Sequence, residues 1–197
     1  LIMQTPLNER PEIRHSSTGR KTEGINFRIV NPLDDTEVAV GEEGELLLSG
    51  YAIMAGYLNN EAANEAAFTS DGFFRSGDLA TCDADGNVII TGRVKDVINR
   101  GGIKINPTDI ENILQAHPGI VLAALVPMHD DVLGERICVF ITLAPNASIT
   151  FDQMTNYLEE NGIAKMRWPE RLEIIEEMPM TPTRKIQKGE LIKLLTA

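Results

Sequence analysis

Lys185 stands in "MPMTPTRKIQK", beside Arg184 and just after Pro179 and Pro182, in a chain rich in carboxylates. A cation in such a place is either the solvated start of a helix or a tethered charge that must reach a phosphate elsewhere. Three further stretches carry candidate chemistry: "FRSGDLA" with Asp78, "GRVKD" with Arg93 and Lys95, and "NRGGIKI" with Gly101, Gly102 and Lys104. Singly, each has a plain reading. Asp78 caps a turn after Gly77, Arg93 forms a surface ion pair with Asp96 that contributes little, and the glycine pair is a tight turn. Gly-Gly and Gly-Asp dipeptides are common, so the information lies in their order along the chain.

The elements that must position these residues change character midway. "GINFRIV" alternates, with Ile25, Phe27 and Ile29 on one side, as a half-buried strand does. "GEEGELLLSG" is a strand bracketed by glycines, "NNEAANEAAF" a short helix, and "ATCDADGNVIITG" a hairpin turning at Asp85-Gly86. The second half alternates helices and strands. "PTDIENILQAH" predicts a helix with a Thr108–Glu111 capping box. "IVLAALVP" and "RICVFITL" are strands, and Ile137, Val139, Ile141 and Leu143 share one face of the second. "TFDQMTNYLEENG" repeats the cap with Thr150 and Gln153, places Phe151, Met154 and Leu158 on its apolar side, and stops at Gly162. Residues 91–107, dense in charge and glycine and without a clear period, read as a linker. Pro179 and Pro182 are expected to hold the approach to Lys185 extended until a helix begins.

Composition narrows the function classes. The 197 residues are 43% apolar, enough for one or two domains with real cores. The net charge is −11, and dividing the chain at Lys95 leaves −7 and −4. Neither half offers the basic face that nucleic acid or an anionic membrane requires. Cys82 and Cys138 are isolated, which suits reduced thiols in a cytoplasmic protein, and no metal site is read. His15, His117 and His129 form no constellation. No apolar run approaches the ~20 residues of a transmembrane helix. "LIMQTPLNER" lacks the regions of a signal peptide, and a chain opening on Leu1 reads as cut from a longer one.

Taken in order, "GELLLSGYAIMAGY", "FFRSGDLA", "GRVKDVINRGGIKI" and "MPMTPTRKIQK" resemble four motifs of the adenylate-forming superfamily. That superfamily comprises acyl- and aryl-CoA synthetases, luciferases and the adenylation domains of peptide synthetases. The resemblance extends over essentially the whole chain. It implies that Asp78 accepts hydrogen bonds from both ribose hydroxyls of ATP, a task suited to an acceptor-only carboxylate. It implies that Arg93 also contacts the ribose with its planar fork. Lys95 becomes the hinge about which a C-terminal domain swings between an adenylating and a thioester-forming pose. Gly101 and Gly102 line the pantetheine channel in the second pose, and Lys104 lies near phosphate. Lys185 reaches the substrate carboxylate and the α-phosphate. Relatives usually carry Gly before this lysine; this chain carries Arg184, which bears on the backbone there.

The implied fold is α+β. Residues 1–94 are a small, distorted β-barrel-like subdomain of a large AMP-binding domain, and 95–197 a small mobile α/β domain with a mixed sheet flanked by helices. The family's Ser/Thr/Gly-rich phosphate loop is absent from these residues, as is the aromatic motif whose Thr-Glu glutamate binds magnesium. The chain is therefore expected to be the C-terminal part of a longer enzyme and inactive alone. "GGIKINPTDIENIL" and "GIAKMRWPERLEIIEEMP" suggest an acid–CoA ligase for a medium-chain, alicyclic or aromatic acid. It would use ATP, Mg2+ and CoA, pass through an acyl-adenylate, and dimerise through the full-length protein. Two alternatives stand beside it: an aryl-acid ligase loading a carrier protein, which shares the "INRGG" stretch, and a non-catalytic nucleotide- or CoA-binding module.

Overall fold

The computed structural model describes residues 2–195, and the chain divides after Lys95 into two compact units. In the first, β1 (Met3–Gln4), α1 (Pro11–Ser16) and β2 (Arg20–Lys21) form an entry segment in which β1 pairs with β2. The alternating stretch becomes β3 (Ile25–Val30) and the glycine-bracketed one β4 (Gly44–Gly50). Next come α2 (Glu61–Ala67), capped by the Asn60 side chain, then β5 (Phe74–Cys82) and β6 (Val88–Arg93). Strands β3 to β6 form an antiparallel sheet in chain order, with Ile29, Leu46, Leu48, Ala80 and Val88 in its core. The sheet stays open and closes no barrel among the described residues.

The β5–β6 turn is organised by one carboxylate. Asp83 accepts the side-chain amide of Asn87 and the backbone N–H groups of Asn87 and Asp85. These bonds, led by the Asn87 amide, hold Asp83 below the usual carboxylate range. Beyond the turn the register shifts by one residue between Ala80 and Leu79, and this irregularity brings Asp78 directly opposite Arg93.

The second unit contains β7 (Ile98–Arg100), β8 (Ile103–Ile105), α3 (Pro107–Gln115), β9 (Ile120–Asp130) and β10 (Gly134–Leu143). It continues with α4 (Phe151–Glu160), β11 (Arg171–Ile174) and α5 (Lys188–Leu195). The long apolar β10 is the centre: antiparallel to β9, parallel to β11, and paired with β7 at Gly134. The alternation read in "RICVFITL" sorts its two faces. Ile137, Val139 and Ile141 pack with Ile110 and Leu114 of α3 and Met154 and Leu158 of α4. Cys138 and Phe140 pack on the other face with Leu191 of α5. Because both faces are covered there, the run Ile137–Ile141 is apolar without a break.

Two sequence expectations are corrected here. The N-cap of α3 is Asn106, whose side chain accepts the Thr108 N–H at 3.1 Å, and no Thr108–Glu111 box forms. Pro107 takes the first helical position, which moves the cap one residue before it, and Glu111 is engaged elsewhere. The box on α4, between Thr150 and Gln153, is formed as read. The stretch 91–107, within which the two units divide, is also more ordered than its lack of a period suggests. It holds the end of β6, a 3-10 turn over Val94–Asp96, and the β7–β8 hairpin. Ile98 and Ile105 are fully buried, but strands of three residues are too short to display a period.

The cap assignment has a direct check in urea unfolding of the 197-residue chain. Asn106→Ala should cost about 1 kcal/mol, whereas Thr108→Ala should stay within roughly 0.5 kcal/mol. The reverse order would return the cap to Thr108.

Candidate functional site

In the first unit the structure brings Asp78 and Arg93 together. Arg93 Nη1 lies 3.1 Å from Asp78 Oδ1, and both side chains are partly exposed. The plain alternative, an Arg93–Asp96 pair, does not form; the arginine turns across the ladder to Asp78 instead. Two neighbours that the sequence reading passed over prepare the pair. Ser76 donates its hydroxyl to the Leu46 carbonyl and accepts the Asp78 N–H, fixing the backbone before the carboxylate. At Gly77 a Cβ would stand 3.3 Å from Arg93 Nη2, so glycine keeps room for the guanidinium. A pair this exposed contributes on the order of 0.2–1 kcal/mol to stability. Its chemical content is an acceptor and a planar donor fork held side by side.

Lys95 lies exposed in the 3-10 turn that ends the first unit. In the second unit Gly101 and Gly102 are the two central residues of the β7–β8 hairpin. Both have positive φ, 57° and 89°, as a two-residue turn of this hand requires. Gly101 donates its N–H to the Leu133 carbonyl, and Gly102 donates to Asn99 Oδ1. Lys104 is exposed on β8, across from Asn99.

The segment around Lys185 is not extended, contrary to expectation. It closes on itself: Met180 bridges Ile186, Thr181 donates its N–H to the Lys185 carbonyl, and Gln187 donates to the Pro179 carbonyl. Thr181 is the organiser. Its hydroxyl oxygen accepts the Lys185 N–H at 3.0 Å, and its carbonyl accepts the Arg184 N–H. Arg184 closes the turn with φ of 61°, in the left-handed region. The departure from Gly at this position thus leaves the glycine-type backbone intact and places an arginine in it. Lys185 is exposed and makes no ion pair among the described residues.

The remaining reactive side chains offer little. Burial pushes the Cys138 thiol up to about 12, which keeps it protonated and inert at neutral pH. No group of three or more His, Cys, Asp or Glu is arranged to hold a metal among the described residues. None of their helices is long and apolar enough to cross a membrane.

The AMP-binding enzyme C-terminal domain family matches residues 109–185. A salicyl-AMP ligase/salicyl-S-ArCP synthetase of Mycobacterium tuberculosis is 41% identical over 99% of this chain and 34% of its own length. A 2-hydroxy-7-methoxy-5-methyl-1-naphthoate–CoA ligase of Streptomyces carzinostaticus is 39% identical over 97% of this chain and 34% of its own. Among solved structures, ATP-bound MatB from Rhodopseudomonas palustris superposes with a TM-score of 0.89 at 26% identity, covering 98% of this chain and 38% of that one. The chain belongs to the adenylate-forming superfamily, and it spans about a third of the length of the curated relatives it matches.

The strain at Arg184 is measurable by hydrogen exchange of the Thr181 and Gln187 amides, which close the turn. A β-branched residue is poorly tolerated at positive φ, and the left-handed backbone costs about 1–2 kcal/mol for a non-glycine residue. Arg184→Gly should preserve protection, while Arg184→Val should exchange roughly tenfold faster. Equal protection in both variants would mean that the turn is not held in the left-handed form.

Proposed function

We propose that the chain serves as the C-terminal third of an ATP-dependent ligase that turns an aryl acid into its acyl-adenylate. The observation that carries this reading is the Lys185 ammonium, exposed on a closed turn and without an ion pair among the described residues, in a chain whose net charge is −11. The reaction requires such a charge. The acid's carboxylate oxygen attacks the α-phosphorus of Mg-ATP, a C(O)–O–P bond forms, and pyrophosphate leaves with the electron pair of the broken P–O bond. Carboxylate and phosphates repel as they approach. A cation about 4 Å away is worth on the order of 4 kcal/mol at an effective dielectric near 20.

The other candidates take supporting roles in the proposal. Asp78 accepts the ribose hydroxyls, and Arg93 holds the carboxylate in place while presenting its remaining donors to the nucleotide. Residues 1–94 belong to the nucleotide-gripping domain, and 95–197 swing about Lys95 to bring Lys185 in for the first step. The Gly101–Gly102 hairpin is presented to the pantetheine arm for the second, with Lys104 toward phosphate. The two unbridged thiols fit a reducing cytoplasm. A pure binding module is the weaker alternative, because it has no use for Asp78, Arg93 and Lys185 together.

Similarity moves the substrate reading away from medium-chain and alicyclic acids. Both relatives are named for aryl acids with a hydroxyl ortho to the carboxylate, and the one at 41% identity is named for a carrier-protein product. We therefore favour a 2-hydroxyaryl acid and a carrier-protein acceptor over the CoA thioester expected from sequence. Both acceptors present the same pantetheine thiol.

Pyrophosphate exchange into ATP by the full-length enzyme tests the proposal. Exchange should depend on salicylate or 2,3-dihydroxybenzoate and be weak with octanoate or cyclohexanecarboxylate, and the acyl group should pass to a phosphopantetheinylated carrier protein faster than to CoA. The 197-residue chain alone should give no exchange. Exchange restricted to the aliphatic acids, or robust exchange by the chain alone, would contradict the proposal.

A further inference from the structure

Three residues beyond Lys185, at the first position of α5, stands a second lysine with the opposite character. Lys188 is only 20% exposed, and its ammonium lies 2.7 Å from Glu111 Oε1 and 3.9 Å from Asp96 Oδ2. A cation at a helix start is opposed by the helix dipole, and the Glu111 contact offsets that penalty. Glu111, itself 14% exposed, also accepts the Leu125 N–H at 2.7 Å. Strand β9 pairs only with β10 among the described residues, so this N–H is on the open edge of the sheet. At that edge a carboxylate from α3, on one face, meets an ammonium from α5, on the other.

We propose that Lys188 is a positioning residue for Lys185, an inference that rests on the role given to Lys185 above. The physical reason is leverage. Only Ile186 and Gln187 separate the Lys185 turn from α5, and Gln187 closes the base of that turn on the Pro179 carbonyl. The placement of the turn therefore follows the placement of the first residue of α5. On its apolar side the helix is anchored by the fully buried Leu191 and the partly buried Leu195, which leaves its first residues free of an apolar anchor. The Lys188–Glu111 contact holds them one turn away from Leu191, on the same helix face. Asp96 adds a weaker arm from the residue that follows Lys95, so the clamp also feels the backbone where the two units join in sequence.

The test uses pyrophosphate exchange by the full-length enzyme, with Lys185→Ala run in parallel. A misplacement of about 1 Å costs on the order of 100-fold in rate. Lys188→Met should therefore lower kcat by roughly 10- to 100-fold while KM for ATP stays within about twofold, because the nucleotide grip is assigned to Asp78 and Arg93. Thioester formation from pre-made adenylate should be unchanged, and Lys188→Arg should recover most of the loss. Glu111→Gln, which keeps shape and the Leu125 bond while removing the charge, should reproduce the Lys188→Met kinetics if that variant fails to fold. Exchange within twofold of the parent in both Lys188→Met and Glu111→Gln, with Lys185→Ala inactive, overturns the positioning role alone. Unchanged exchange in Lys185→Ala overturns the reading of Lys185 and the positioning role with it.

Discussion

The proposed chemistry rests on one constraint: in a chain with 29 acidic and 18 basic residues, the Lys185 ammonium has to stay uncommitted. Most of the described cations near it in sequence do not. Arg167 is bound to Asp109, Arg171 to Glu173, Lys188 to Glu111 and Lys193 to Glu190. Lys185 differs: its ammonium meets no carboxylate among the described residues, and its backbone is satisfied within its own turn. Thr181 takes both the Arg184 and Lys185 N–H groups, through its carbonyl and its hydroxyl, so the turn needs no carboxylate to close it. The side chain is left in water, where a charge is cheap to keep and free to meet a phosphate.

The first unit solves a complementary problem. The carboxylate proposed to receive the ribose hydroxyls must be held in place without being used up. The β5–β6 register sets Arg93 opposite Asp78, Ser76 pins the backbone, and the ion pair engages Oδ1. In the proposed reaction strands supply the grip, while a turn tethered to a helix supplies the cation. That division suits a reaction in which one group must hold still and another must arrive.

How much of this is legible in sequence depends on how local the determining interaction is. The strands β3, β4, β9 and β10 and the cap of α4 are readable because alternation and the Thr150–Gln153 spacing act within a few residues. The α3 cap is misread because Glu111 satisfies the spacing rule, yet its carboxylate is drawn 14 residues on to Leu125 and to Lys188 near the chain's end. The β7–β8 hairpin carries a usable signal in Gly101–Gly102 flanked by Ile98 and Ile105, but its strands are shorter than any period. The prolines before Lys185 suggest an extended approach, and the closing bonds from Thr181 override them. Asp78, Arg93 and Lys185 stand out by the order of their motifs, whereas Ser76, Gly77 and Lys188 become visible only when strands and helices are placed beside one another.

The most direct measurement separates the two half-reactions in single-turnover experiments on full-length Lys185→Ala. The account predicts that adenylate formation from acid and Mg-ATP slows by orders of magnitude, while thioester formation from pre-made acyl-adenylate proceeds at the parent rate. Adenylate formation at the parent rate in this variant would contradict it.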